Sequence, residues 1–147
     1  ASDDGYIYNH EYGNNADSSA ITASITSANI ALDEGDRYVL LQRIIPDINF
    51  TGSDAGTTPT AEFKVSAKKF PGSAPYSTNE AGSSTDGSVT AANSVASTTA
   101  TVDEFTNQIY IRARGNQMAF TIESTASGVA WGLGTPRADV RPDGRRG

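Results

Sequence analysis

The chain has no cysteine and one histidine, His10. Without cysteine there are no disulfides, no thiolate metal ligands and no cysteine nucleophile, and the redox compartment stays undetermined. A single histidine in a polar N-terminal stretch removes most zinc sites, which need several His or Cys ligands, and gives a Ser-His-Asp triad no well-placed base. No enzymatic activity, metal or cofactor is therefore expected. Long hydrophobic runs are also missing: nothing approaches the roughly 20 apolar residues of a membrane-spanning helix, and no charged, apolar, then small-residue leader opens the chain. Helical periodicity is absent too. Nowhere do apolar residues recur at i, i+3, i+4, i+7 across three turns without a Gly, Pro or Ser/Thr cluster intervening, so no long helix is expected.

What the sequence does contain is alternation. Its 147 residues suffice for one domain with a real core. Ile21, Ala23 and Ile25 alternate with Thr22, Ser24 and Thr26, and after a slip at Ser27 the pattern resumes through Ile30 and Leu32; the slip reads as a bulge or bend in a half-buried strand. Asp33-Glu34-Gly35-Asp36 reads as a turn. Arg37 to Ile45 is the densest apolar run, suited to a central strand buried on both faces. Pro46 cannot donate to a sheet ladder, so it ends that run or forces a bulge before Ile48 and Phe50. Ala61, Phe63, Val65 and Ala67 alternate with Glu62, Lys64, Ser66 and Lys68, the cleanest strand in the chain, closed by Phe70-Pro71-Gly72. Residues 73–93 lack large apolar groups and read as an exposed loop, with a Ser/Thr-rich strand returning at 95–102. Ile109, Ile111 and Ala113 oppose Tyr110, Arg112 and Arg114; Gly115-Asn116 follows; Met118, Phe120 and Ile122 then alternate. This predicts a hairpin, with Arg112 or Arg114 facing Glu123 across it. A last strand holds Val129 and Trp131.

The pattern predicts an all-β fold, an antiparallel β-sandwich of about six to eight short strands with long Ser/Thr/Gly-rich loops. Residues 1–19 read as a linker or edge segment, 20–142 as a single sandwich domain and 143–147 as a basic C-terminal tail. A chain opening on Ala1 rather than Met reads as the C-terminal piece of a longer polypeptide.

The net charge of −6 is unevenly spread: residues 1–106 carry five Lys/Arg against fourteen Asp/Glu, whereas 107–147 carry six Arg against three acids. Such segregation fits pairing between the halves of one fold, pairing between neighbouring copies, or a nucleic-acid partner for the basic end. Arg137, Arg141, Arg145 and Arg146 are spaced by Pro136, Pro142 and Gly144, which hold the segment extended so that guanidiniums can meet carboxylates or phosphates. Against DNA such contacts are sequence-blind and salt-dependent; against an acidic face of another subunit they set register. Trp131, the only tryptophan, reads as a core or interface anchor, the alternative being a sugar-stacking platform. Asp33, Glu34 and Asp36 lack the EF-hand order. Gly132-Leu133-Gly134 lacks the rest of a dinucleotide fingerprint and reads as backbone bending. The remaining acids fall at turns, without the apolar pocket a glycosidase acid requires.

Several stretches together carry a resemblance: Arg37 through Asp47, Phe70-Pro71-Gly72, Phe105-Thr106-Asn107-Gln108, Ile111 through Met118, and above all Gly128 through Arg137 and Arg141 through Arg146. They resemble the C-terminal region of large virion structural proteins of short-tailed bacteriophages, the tail nozzle, tail tubular or packaged-DNA stabilisation proteins. The likeness spans most of residues 30–147 and is most specific in the last forty. It departs from the family pattern at Asn116, where a further basic residue is usual, and at Gly147, which follows the double Arg. The resemblance implies a noncatalytic virion component in the tail, ringed by copies of itself and other tail proteins with packaged DNA nearby. Trp131, Arg137, Arg141, Arg145 and Arg146 are the candidate interface residues. The alternative is a carbohydrate-binding module on a tail or surface appendage, using Trp131 and the tyrosines on host glycan.

Overall fold

Alternating apolar and polar residues give the long strands of the computed structural model, which describes Gly5, Ile7 and residues 12–31, 37–68 and 97–145, the side chains of Ser97 and Arg145 excepted. Twelve strands and no helix occur among the described residues: β1 (Asn15–Ala16), β2 (Ser19–Ala20), β3 (Ala23–Thr26), β4 (Ile30–Ala31), β5 (Arg37–Ile45), β6 (Ile48–Asn49), β7 (Thr60–Lys68), β8 (Ser97–Asp103), β9 (Ile109–Gly115), β10 (Gln117–Ser124), β11 (Gly132–Leu133) and β12 (Arg137–Arg145). All pairings are antiparallel. A five-stranded sheet runs β3-β10-β7-β8, with β4 also on β10, and packs against a three-stranded sheet, β12-β5-β9. The fold is an all-β sandwich. The turn at Asp33 to Asp36, the Phe70-Pro71-Gly72 stop and the 73–93 loop lie outside the described residues.

The core is the apolar row of each strand brought face to face. Ala61, Phe63 and Val65 of β7 and Met118 and Ile122 of β10 are buried on one layer; Val39, Leu41 and Ile44 of β5 and Ile109 and Ile111 of β9 are buried on the other. Phe63 and Phe120 meet with ring centroids 6.0 Å apart. Burying each such side chain contributes about 1.5–3 kcal/mol, which is why the strict alternation on β7 is a strong fold signal.

Three expectations are corrected by the tertiary arrangement. First, β9 and β10 are not a hairpin: they belong to different sheets, and the chain crosses the sandwich at Gly115-Asn116. A two-residue type I′ turn needs positive φ at both central positions, and neither Gly115 nor Asn116 has it. Instead Asn116 is buried and its backbone amide donates to the Lys68 carbonyl at 2.8 Å. Accordingly Glu123 pairs with Lys64, and Arg114 with Asp143. Second, β5 is central but buried on one face only. Its buried residues shift phase from Val39 and Leu41 to Ile44, with register shifts against both neighbours beside Gln42. Third, Ile25 is 49% exposed and Ile30 42% exposed, because β3 and β4 lie on the outer edge of the larger sheet, and Ile21, 49% exposed, precedes β3 outside any strand.

Two sequence irregularities are resolved. Thr26 pairs with Thr121 but Ile30 with Met118, so three residues oppose two and the slip at Ser27 is a bulge; the Ser27 hydroxyl accepts the Phe120 amide at 3.0 Å. Pro46 does end β5, and Asp47 follows with φ 48°. Gly132 and Gly134 then serve close approach rather than bending: a Cβ on Gly132 would lie 3.1 Å from the Asn49 side chain, and one on Gly134 would collide with the Asp47 carboxylate. That carboxylate accepts the Thr135 amide.

The segment boundaries also differ from those read in sequence. β2 straddles the boundary after residue 19; it closes a hairpin whose turn residues Asp17 and Ser18 both have positive φ, the type I′ geometry. Asn14 ties that hairpin to Gly52 and Asp54 at 2.7 and 2.8 Å. At the other end β12 extends to Arg145, whose backbone pairs with Arg37, so residues 143–145 belong to the sheet rather than to a tail.

Candidate functional site

The outer face of the β12-β5-β9 sheet gathers the cationic side chains. On β9 the buried row Ile109, Ile111, Ala113 leaves Tyr110, Arg112 and Arg114 outward. On β5 the register shifts beside Gln42 bring both Gln42 and Arg43 to the outer surface, the kind of re-aiming bulges produce. β12 adds Asp139 and Arg141. These residues, Gln42, Arg43, Tyr110, Arg112, Asp139 and Arg141, line a groove of about 650 Å³. Three guanidiniums against one carboxylate leave it net positive.

The cations are held differently. Arg43 lies 3.6 Å from Asp139 and donates to Gln108 Oε1 at 3.4 Å, while Gln108 in turn donates to the Tyr110 hydroxyl at 2.8 Å. Arg114 stacks over the Tyr38 ring at 4.6 Å and donates to the carboxylate and the main-chain oxygen of Asp143. Arg112 and Arg141 are exposed, and neither has an acidic partner among the described residues. The groove therefore offers two unneutralised planar forks to a partner's carboxylates or phosphates. Exposed pairs of this kind contribute about 0–1 kcal/mol each, so recognition requires several acting together.

Of the residues singled out in sequence, Arg141 lies in this groove. Arg137 is exposed at the start of β12 and is outside the groove lining. Arg145 ends β12 with its side chain outside the described residues, and Arg146 is likewise outside them, as is His10. Trp131 does not join the arginines: it is half-buried against the hydrophobic core, and its Nε1 is enclosed with no acceptor among the described residues. An indole committed to the core in this way is poorly placed to stack on sugar. Arg43, Arg112 and Tyr110 are groove residues missing from the sequence-based set. The outward row of β9 was visible in the alternation, whereas Arg43 reaches the face only through the phase shift on β5.

The opposite outer face has a different character. Lys64 donates to Glu123 at 2.6 Å and lies 3.2 Å from Glu62; the bonds to Glu123 and Glu62 hold its ammonium above the ordinary lysine range. Both carboxylates there are engaged by one cation, which opposes the acid and base division of labour of a glycosidase pair. Among the described residues no three His, Cys, Asp or Glu gather to hold a metal ion. Comparison with family models finds no match, and comparison with curated proteins likewise finds none.

Proposed function

We propose that this chain is a noncatalytic structural domain of a bacteriophage virion, the C-terminal domain of a tail nozzle-type protein that assembles in a ring and contacts other tail proteins. The observation carrying this reading is that β5, β9 and β12, which hold Arg37 to Ile45, Ile111 to Gly115 and Arg141 to Arg145 of the stretches bearing the resemblance, form one sheet with a net cationic outer groove. Surfaces of this type steer and register subunits through charge complementarity, and the acid-rich first 106 residues of a neighbouring copy supply a matching sign. The chain's own composition adds to the case, since it has no cysteine and a single histidine.

The test is particle assembly with Arg112→Ala and Arg141→Ala together. Both side chains are exposed and without acidic partners among the described residues, so the purified variant should keep its stability within about 0.5 kcal/mol. Particle yield should nonetheless fall, and the residual assembly should weaken further as salt rises. Normal yield of intact particles from a stably folded variant would remove the reading.

A further inference from the structure

We propose that the five-stranded sheet is continued from one copy of this chain into the next, the β8 edge of one protomer pairing with the β3 edge of its neighbour. The proposal deepens the reading of a self-assembling domain and rests on it.

Natural sheet edges are guarded by charge, proline or irregularity against unwanted pairing. The smaller sheet follows that rule: β12 carries Arg137, Asp139, Arg141, Pro142 and two register shifts, and β9 carries Arg112 and Arg114. The larger sheet is guarded less: its β3–β4 edge has short strands and the bulge at Ser27, and neither edge has proline. From residue 18 to 32 the sequence has no charged residue, proline or glycine, and β8 is Ser-Thr-Thr-Ala-Thr-Val until its terminal Asp103. Neither β3 nor β8 has a partner on its outer side among the described residues.

Strand direction selects the pairing. The path β3-β10-β7-β8 has four strands, each antiparallel to the next, so β8 runs opposite to β3. A neighbour brought alongside by a simple rotation therefore presents its β3 antiparallel to β8, and the ladder continues without a change of type. The faces match as well. Following the registered partners, Ala23 and Ile25 share the core face with Ala100 and Val102, while Ser24 and Thr26 share the outer face with Thr99 and Thr101. Joined edges would set apolar beside apolar and hydroxyl beside hydroxyl, the favourable cross-strand combinations. The exposed Ile25 would gain a covering neighbour. A head-to-tail contact of this kind uses two different surfaces and so builds rings or filaments, whereas β3 pairing with β3 would stop at a dimer.

Because the chain has no cysteine, introduced thiols report the contact directly. Ser24→Cys is combined in the full chain with Thr99→Cys in one variant and with Thr101→Cys in another, all three positions being exposed. Within one protomer the two edges are separated by three strand spacings, about 14 Å, too far for a disulfide. Oxidation should convert monomer of at least one double variant into a ladder of dimers, trimers and larger species that reductant collapses, with no ladder from any single variant. Dimers from Ser24→Cys alone, or monomer only from both double variants, would overturn the proposal. In a second measurement the unaltered chain should sediment as multimers and Thr99→Lys/Thr101→Lys as monomer; a monomeric parent overturns it equally. Ladders together with normal particle yield for the Arg112/Arg141 variant would leave the edge pairing standing and remove the virion reading. Absent ladders with defective particles would do the reverse.

Discussion

Replacing Gly115 by alanine probes the corner where the chain leaves one sheet for the other. Gly115 does not have positive φ, so alanine can adopt its backbone, and by loss of unfolded-state freedom alone the change would stabilise by about 0.4–1 kcal/mol. Space argues the other way. A Cβ there would stand 2.9 Å from the Lys68 carbonyl oxygen, 3.1 Å from the Ala67 Cβ and 3.1 Å from the Gln117 carbonyl oxygen. The Lys68 oxygen cannot easily retreat, because it accepts the Asn116 amide at 2.8 Å. Overpacking against a close-packed interior costs about 1–3 kcal/mol, so a net destabilisation of roughly 1–2 kcal/mol is expected once the entropic gain is subtracted. For a domain of this size that lowers Tm by about 2–8 °C. Thermal melts followed by circular dichroism, with a urea titration whose slope is unchanged, measure it. Gly144→Ala is the contrast, since Gly144 has φ +84° and a Cβ there would meet nothing within 4 Å; it tests left-handed strain without crowding. A Gly115→Ala protein melting at or above the parent would refute the crowded-corner argument.

Phe63→Ala should cost about 3–5 kcal/mol, because the ring is 1% exposed and packs between both layers; a urea midpoint near that of the parent would contradict the core assignment. Two pH limbs should also respond. The Thr106 hydroxyl, with the Phe105 amide, holds the Asp103 carboxyl below its ordinary 3.8; the stability it contributes is present above 3.8 and is lost as pH falls through the lowered value. Thr106→Val should therefore weaken the acid dependence of Tm in that region. Lys64 is raised above 10.5 by Glu123 and then Glu62, so its contribution is complete below 10.5 and disappears as pH climbs through the raised value. Glu123→Gln should flatten that alkaline limb, and an unchanged profile would show that the ion pair is energetically silent.

Much of the fold was legible because alternation is a local property. The rows Ala61, Phe63, Val65 and Ile109, Ile111 read as strands with one dry face, and they are; the bulge at Ser27 and the stop at Pro46 were visible for the same reason. What escaped the sequence involves partners far away along the chain. Gly115-Asn116 reads equally well as a hairpin turn and as a crossing between layers, since both reverse or redirect a strand using the same residue types. Only the approach of Lys68 distinguishes them. Ile25 alternates as a core residue does, yet lies beyond the span of the smaller sheet.

The candidate site divides similarly. The arginines of the C-terminal stretch were conspicuous as a charge cluster, but Arg43 joins Arg112 and Arg141 because β5 lies between β9 and β12 and its phase shifts beside Gln42. Trp131 was conspicuous by rarity, and packing sends it inward. The sequence by itself determined the strands β5, β7, β9 and β10, the buried rows of β7, β9 and β10 and the segregation of charge, which follow from the two-residue period of the pleat and from composition; the last strand it placed at Val129 and Trp131 lies instead at Gly132–Leu133, and the nine-residue β12 had read as an extended basic end. Tertiary structure alone decided which strands are neighbours and which arginines share a face, because those depend on long-range pairing that no local pattern encodes.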